Sequence, residues 1–500
     1  MLNNLSTIKR TVPWFIFSSI ILLAAALRFH DLGGESYWYD EIIMVRVAQD
    51  NIWAIIEGGR PPIYIILAHF WIKLFGTEEV ATRSLSAIFG VASIPLIYLI
   101  GKELFDRKVG LVGAFLMAIS QFQIYYSQDI RYYSLFVLMT LLSYYFFVIA
   151  LRNRNIINLT LYVLTSVLLF YTHAFGVFVI AAQNLYFLLR WRCHRNLAIN
   201  WISSQAIILF AIMPKILASL GKVADGTAGP MTWLPEPSPW SPLITLRNFI
   251  GAGLDYPSLN TVIIGVSFFV VAIGAYILWM GKERWLASVG DLLSGFKSVT
   301  NKGNESLLLV LWITIPILLP FVLSKIFGPM YHHRYMISAS PAFYIILAFL
   351  ITKLGRVVPE SITLGLLVIV ITPGLIEFYV SPVREQWREA AEYVEDKSTI
   401  DDVIIFAEGG GGQNRRTFDW YYKGDLPECG INKHLKDYSA IDGEFAKCMK
   451  DNGRFWLVVR EVPYPAPYLI EYFLSNTKRN IKLIRERKFT KITVYLFQLM

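Results

Sequence analysis

Trp14-Phe15-Ile16-Phe17-Ser18-Ser19-Ile20-Ile21-Leu22-Leu23-Ala24-Ala25-Ala26-Leu27-Arg28, and after a short polar stretch Tyr37-Trp38-Tyr39-Asp40-Glu41, set the terms for the whole chain. The first run is apolar enough to cross a bilayer as a helix. The second places two adjacent carboxylates just beyond its end. Ionisable groups gathered at the edge of a membrane mark chemistry or a transport path. The residues from His30 on read as a folded loop, and the first run lacks a small-residue cleavage pattern, so it is expected to stay as a span.

Composition sets the class. With 55% hydrophobic, 15% aromatic and 17% charged residues, the 500-residue chain departs from soluble composition and reads as a polytopic membrane protein. Mostly apolar runs long enough for about 30 Å of hydrocarbon fall at 12–28, 81–101, 109–127, 133–151, 156–172, 174–190, 199–219, 261–280, 306–325, 335–353 and 360–379. They predict about eleven spans. Lys and Arg occupy alternate connections: Lys9 and Arg10, Lys102 to Lys108, Arg152 and Arg154, Arg190 to Arg195, Lys282 to Lys302, then Lys353 and Arg356. By the positive-inside rule the N-terminus is cytoplasmic and the C-terminal segment lies outside.

Beyond Pro382 the apolar runs stop and charges spread evenly, which divides the chain into a membrane domain (1–381) and an extracytoplasmic domain (382–500). The net charge of +9 has little to do with the latter, since 381–500 holds 19 basic and 18 acidic residues. The excess belongs to the membrane half, and no nucleic-acid partner is implied. In the outer domain, helical periodicity over 384–396, 417–423, 443–451 and 468–476 alternates with strand-like runs at 402–407, 454–460, 481–487 and 491–498. This predicts a small α/β layer. Gly409 to Gly412 follow a strand, but their spacing fits neither the dinucleotide nor the P-loop fingerprint and reads as a loop. Cys429 and Cys448 sit where a bridge is chemically permitted; two buried thiols are the other reading. Cys193 falls on the cytoplasmic side.

The outer loops are unequal. Loop one, 30–80, carries Asp40 and Glu41, then a Gly58-Gly59-Arg60-Pro61-Pro62 turn that leads into an amphipathic stretch from Ile63 to Phe75, too short to span. Loop two is Ser127-Gln128-Asp129-Ile130-Arg131-Tyr132-Tyr133. Loop four, 220–260, is rich in Pro and Gly and reads as a functional cover. An enzyme on this face has no nucleotide-sugar pool, so its activated group must arrive on a lipid. Transfer of a lipid-phosphate sugar to a hydroxyl needs a carboxylate to accept a proton and cations or hydrogen bonds to hold the departing phosphate.

The ordered signals are the first-loop Asp-Glu, Pro61-Pro62-Ile63-Tyr64, Asp129-x-Arg131-x-Tyr133-Ser134, Thr172-His173, and Arg334-Tyr335 with Pro341. Together they resemble the GT-C superfamily of membrane glycosyltransferases, most closely its protein mannosyltransferase and aminoarabinose transferase families. The likeness covers roughly 12–350. It implies GT-C architecture and inverting transfer from a dolichyl- or undecaprenyl-phosphate sugar. By the same likeness Asp40 is the general base, Glu41 a partner of substrate or backbone, Asp129 the second-loop acid and Arg131 a phosphate contact. Where some relatives carry a Lys after the first-loop turn, this chain has Arg60, which stands as a substitute phosphate contact.

Arg334, with His332 and His333 beside it, is a further candidate for the carrier phosphate, and His173 and Tyr132 for the substrate face. Each has a plainer alternative. Adjacent loop acids are usually solvated, Asp129 can cap a helix, Arg131 can snorkel, His69 and His173 can be satisfied interface residues, and Tyr and Trp form belts at any membrane surface. Neighbouring histidines on a helix point about 100° apart and seldom chelate together. A lipid monophosphate leaving group does not demand a metal, so none is expected as essential, although a divalent ion remains compatible. The expected partners are a polyprenyl-phosphate sugar, membrane lipids, and a glycan, lipid or protein acceptor. Two other function classes compete: a secondary transporter or lipid flippase, for which the charge-poor spans and lack of an internal repeat are poor signs, and a lipid-linked glycan polymerase or ligase.

Overall fold

A computed structural model describes residues 2–58, 60–224, 234–250, 303–354, 359–409, 412–449, 452–461, 466–475 and 481–500. Contacts divide the chain into two compact units. One comprises Met1–His30, Ala48–Thr77 and Ala81–Glu377; the other comprises Asp31–Val47, Glu78–Val80 and Phe378–Met500. The second unit thus takes in the segment that carries Asp40 and Glu41.

The first unit is helical. Each expected span falls on a helix except 261–280, which lies outside the described residues, as do the basic connection 282–302 and the parts 225–233 and 251–260 of loop four. Among the described residues, six helices are long and apolar enough to cross a membrane, or seven if the bent pair Arg107–Ile119 and Gln121–Ser127 counts as one span. Ile156–Thr172 and Gly176–Leu189 are apolar but shorter, so length and composition support a multi-pass protein rather than a count of eleven.

The bent pair departs from the single span expected at 109–127. Its two helices meet at 60°. Ser120 stops the first in extended backbone and caps the second, its hydroxyl accepting from Gln123 N. The carbonyls left open by the break are met by Arg28, which is fully buried and donates to Met117 O at 3.0 Å and Ala118 O at 2.9 Å. A guanidinium at a helix C-terminus is favoured by both the hydrogen bonds and the dipole. Gln128 then donates to His30 O at 2.8 Å, and Gly90 leaves room for Ser127, where a β-carbon would meet Ser127 Oγ at 2.2 Å. Loop two is thereby anchored on the end of the first helix.

The helix Pro62–Phe75 has Pro at its start, where a missing N–H costs nothing, and ends at Gly76, whose φ of 86° suits glycine. Tyr64, Ile65, Ala68, His69 and Ile72 are buried, whereas Leu67, Phe70, Leu74 and Phe75 are exposed. At about 21 Å it is too short to span and has the two faces of an interfacial helix. Deeper in the unit, Ser143, Ser166, Gln183, Tyr162, Gln205, Asn184 and Trp201 form a buried hydrogen-bond chain across four helices, as polar groups surrounded by apolar packing must.

The second unit is built on a five-stranded mixed sheet, with β1 (Asp402–Glu408), β2 (Glu428–Asn432), β3 (Arg454–Arg460), β4 (Ile481–Phe489) and β5 (Ile492–Leu499) in the order β2-β1-β3-β5-β4. β1 runs parallel to both β2 and β3, while β5 is antiparallel to β3 and to β4. Both faces are covered, so β1 reads as a continuous apolar run. Val403, Ile405 and Ala407 pack toward the helices Tyr438–Met449 and Pro467–Ser475, and Ile404 and Phe406 toward Trp387–Lys397. The expected strands and hairpin are present. The helix expected at 417–423 forms earlier, at Gln413–Phe418, and β2 was not anticipated. Its sequence, Glu-Cys-Gly-Ile-Asn, lacks strand character; the pairing with β1 and a Cys429–Cys448 disulfide hold it at the edge.

Candidate active site

Within the first unit, four of the expected residues come together. Arg131 lies with its guanidinium 4.9 Å from the Tyr132 ring centroid and donates to Tyr132 Oη at 3.1 Å. The Tyr132 ring meets that of His173 edge-on at 4.9 Å. His173 stacks on Phe136 at 4.7 Å and lies 5.4 Å from the Tyr335 ring, over which Arg334 sits at 5.4 Å. Two cations therefore flank an aromatic and imidazole stack. A ring face holds a guanidinium in place without cancelling its charge.

His173 is neutral. Burial first, and then the positive charges of Arg131 and Arg334, push its pKa down to about 3. Its Nδ1 accepts from Phe175 N at 3.1 Å, which assigns the proton of the neutral ring to Nε2. Asp129 is fully buried, and its carbonyl accepts from Arg131 N at 2.7 Å in a tight turn. Tyr126 lies within electrostatic range of both Asp129 and Arg334. The His333 ring lies tilted against that of His332 at 4.2 Å and against Phe122 at 6.5 Å. Burial, then His333 and Arg334, hold His332 far below the usual imidazole range. Arg60 is exposed, and its carbonyl accepts from Lys215 at 3.0 Å.

Asp40 and Glu41 belong to the second unit, in the first turn of the helix Tyr39–Gln49. Carboxylates are favoured there by the open N–H groups and the dipole. Glu41 is fully buried and turns back to accept from Trp38 N at 3.4 Å, half of a capping box. Asp40, one residue earlier, is half-buried. The two acids are thus differently disposed: Glu41 supports the helix start and Asp40 retains solvent access.

Residues 59–217 match the family model of dolichyl-phosphate-mannose-protein mannosyltransferases. Among solved structures, apo ArnT from Cupriavidus metallidurans is similar with a TM-score of 0.52 at 11% identity, over 97% of this chain and 98% of that one. The Archaeoglobus fulgidus oligosaccharyltransferase AglB, in complex with an inhibitory peptide and a dolichol-phosphate, gives 0.53 at 12% identity, over 97% and 74%. The same enzyme tethered to an acceptor peptide gives 0.51 at 14%, over 98% and 74%. No curated protein matches the sequence. The chain has the GT-C fold.

The GT-C fold carries several site features that sequence reasoning missed. Phe136 and Phe175, which pack on His173, are indistinguishable in sequence from other aromatics of an apolar helix. Arg28 had a signal, a charge in the last turn of the first apolar run, but reads equally as a snorkelling residue. Among the described residues, no group of three or more His, Cys, Asp or Glu is placed to hold a metal ion.

Proposed function

We propose that this protein is a glycosyltransferase that moves a sugar from a polyprenyl-phosphate carrier to an acceptor hydroxyl, with inversion, on the outer face of the membrane. The flanking of the neutral His173 by Arg131 and Arg334 is the observation that carries this reading. Two guanidiniums held on ring faces beside a neutral donor suit a lipid monophosphate, which needs charge compensation and hydrogen bonds as it departs. The dolichol-phosphate named with AglB and the mannosyltransferase match over 59–217 support the same donor class.

In this reading Asp40 takes the proton of the acceptor hydroxyl as its oxygen bonds to the anomeric carbon. The bond from that carbon to the phosphate oxygen breaks, and its electron pair leaves with the lipid phosphate. Arg131 and Arg334 meet the growing charge, Tyr132 and His173 supply hydrogen bonds and ring faces, and His333 and Arg60 contribute at the phosphate. Asp129 fixes the turn that presents Arg131. The N-terminus is cytoplasmic, residues 382–500 form an extracytoplasmic domain, and the chemistry requires no metal.

Mass spectrometry of lipids that copurify with the full-length protein tests the donor class. A polyprenyl phosphate or its sugar ester is expected. Loss of that lipid in Arg131→Ala would support the phosphate role, and unchanged retention in Arg131→Ala and Arg334→Ala would remove it.

A further inference from the structure

Three stretches of the second unit, far apart in sequence, converge on one carboxylate. Glu79 Oε1 accepts from Arg388 at 2.6 Å and from Tyr421 Oη at 2.7 Å. The same Tyr421 oxygen accepts from Tyr37 N at 2.6 Å. Arg388 lies over the Tyr421 ring at 5.5 Å and also reaches Gly33 O. Around this centre the stretch before Asp40 is fastened residue by residue. Glu35 accepts from Arg384 N and from its guanidinium, both at 3.0 Å; Ser36 Oγ donates to Glu385 O at 2.7 Å; the buried Tyr37 ring meets Trp420 edge-on at 6.1 Å.

We infer that Glu79, Arg388 and Tyr421 are positioning residues for Asp40, a clamp that fixes the Tyr37 backbone and so sets where the helix bearing the base begins. The inference rests on Asp40 being the base. Tyr37 N precedes the helix Tyr39–Gln49 and has no place in its hydrogen-bond ladder, so its direction comes from an outside acceptor. A neutral tyrosine hydroxyl is suited to this, because it accepts from Tyr37 and donates to Glu79 at once. The Glu79 charge, paired to Arg388, keeps the hydroxyl proton pointing away from Tyr37 and leaves a lone pair for the amide. A network fully satisfied in this manner is rigid. Geometry of the base is what proton transfer needs, since a misplacement of about 1 Å can cost roughly a hundredfold in rate.

The clamp is tested in the full-length protein in lipid nanodiscs with Tyr421→Phe, Glu79→Gln, Glu79→Ala and Asp40→Asn. Hydrogen exchange of the Ser36 to Glu41 peptide is expected to quicken about tenfold in Tyr421→Phe, with peptides of β1 and β3 unchanged. With polyprenyl-phosphate mannose as the donor probe, kcat is expected to fall about tenfold while KM stays within about twofold. Glu79→Gln, whose amide oxygen still accepts from Tyr421, should retain more turnover than Glu79→Ala, which a general loss of packing would not produce. If Tyr421→Phe unfolds, the contrast between the two Glu79 variants decides. Unchanged exchange in Tyr421→Phe would overturn the clamp, as would normal kcat in Tyr421→Phe beside an inactive Asp40→Asn. An active Asp40→Asn would overturn the base assignment together with the clamp.

Discussion

Two sets of arginines, one from each unit, are held differently. In the first, Arg131 and Arg334 lie over tyrosine rings. In the second, Arg384 meets Glu35 at 3.0 Å, Arg388 meets Glu79 at 2.6 Å, and Arg454 meets Asp402 at 2.6 Å. A carboxylate neutralises a guanidinium and ties it into the fold, whereas a ring face orients a guanidinium through cation–π attraction. With Arg131 and Arg334 proposed as contacts of the carrier phosphate, the two sets carry opposite predictions.

The largest expected effect concerns neither set. Asp40→Asn should lower turnover about a thousandfold while copurified donor lipid and thermal unfolding stay as in the wild type; full activity would remove the base. Next comes Asp402, which is buried and takes Arg454, Thr399 and Trp456 as partners. Asp402→Ala should destabilise the second unit by about 3 to 5 kcal/mol, read by denaturant unfolding, with donor retention unchanged in whatever fraction stays folded. Arg131→Ala should do the reverse, weakening donor retention about ten- to hundredfold with little change in unfolding. If Asp402→Ala altered affinity at constant stability, or Arg131→Ala unfolded the protein, the contrast between rings and carboxylates would not hold.

Acid should sharpen the same contrast. Burial opposes ionisation of Asp402, but its hydrogen bonds with Arg454, Thr399 and Trp456 outweigh this and hold its carboxyl below the usual range. A depressed carboxyl stabilises above its unfolded pKa of about 3.9 and loses that contribution as pH falls through the folded value. Unfolding of the second unit should therefore ease below about pH 4, and Asp402→Asn should flatten that dependence. For His173 the depressed pKa has the same proton count, because there too the unfolded state binds the proton first. Its contribution is complete above about pH 6.5 and declines as pH falls from there toward about 3. The neutral ring is already present through the working range, so His173→Gln should leave the shape of the kcat/KM profile between about pH 5 and 8 unchanged. A missing limb near pH 6.5 in that variant would show that the imidazole titrates in the wild type. The smallest effect is assigned to the Cys429–Cys448 bridge, whose replacement by serines should cost the second unit about 3 kcal/mol or less and alter neither donor retention nor turnover.

Much of this was legible in the chain, for identifiable reasons. Apolar runs and alternation are local properties, so the long apolar helices of the first unit and four of the five strands follow from the residue pattern, whereas the helices Ile52–Glu57 and Ser241–Ile250 do not. Loop-two motifs and Arg334 stood out through their order along the chain, which carries the resemblance to GT-C enzymes. The bend at Ser120 did not, since it depends on Arg28 arriving from the first helix to meet the carbonyls of Met117 and Ala118. Nor did β2, which has no strand character until β1 lies beside it.

By itself the sequence determined that the chain belongs in a membrane, where its helices run, and which few charged groups stand at their ends; burial of apolar surface and the spacing of Lys and Arg leave little choice in these. Only the tertiary structure decided which groups share a neighbourhood. Arg131, His173 and Arg334 come from three separate helix ends, and Tyr37, Glu79, Arg388 and Tyr421 from three stretches of chain. Such meetings depend on long-range packing, and no window of residues along the chain contains them.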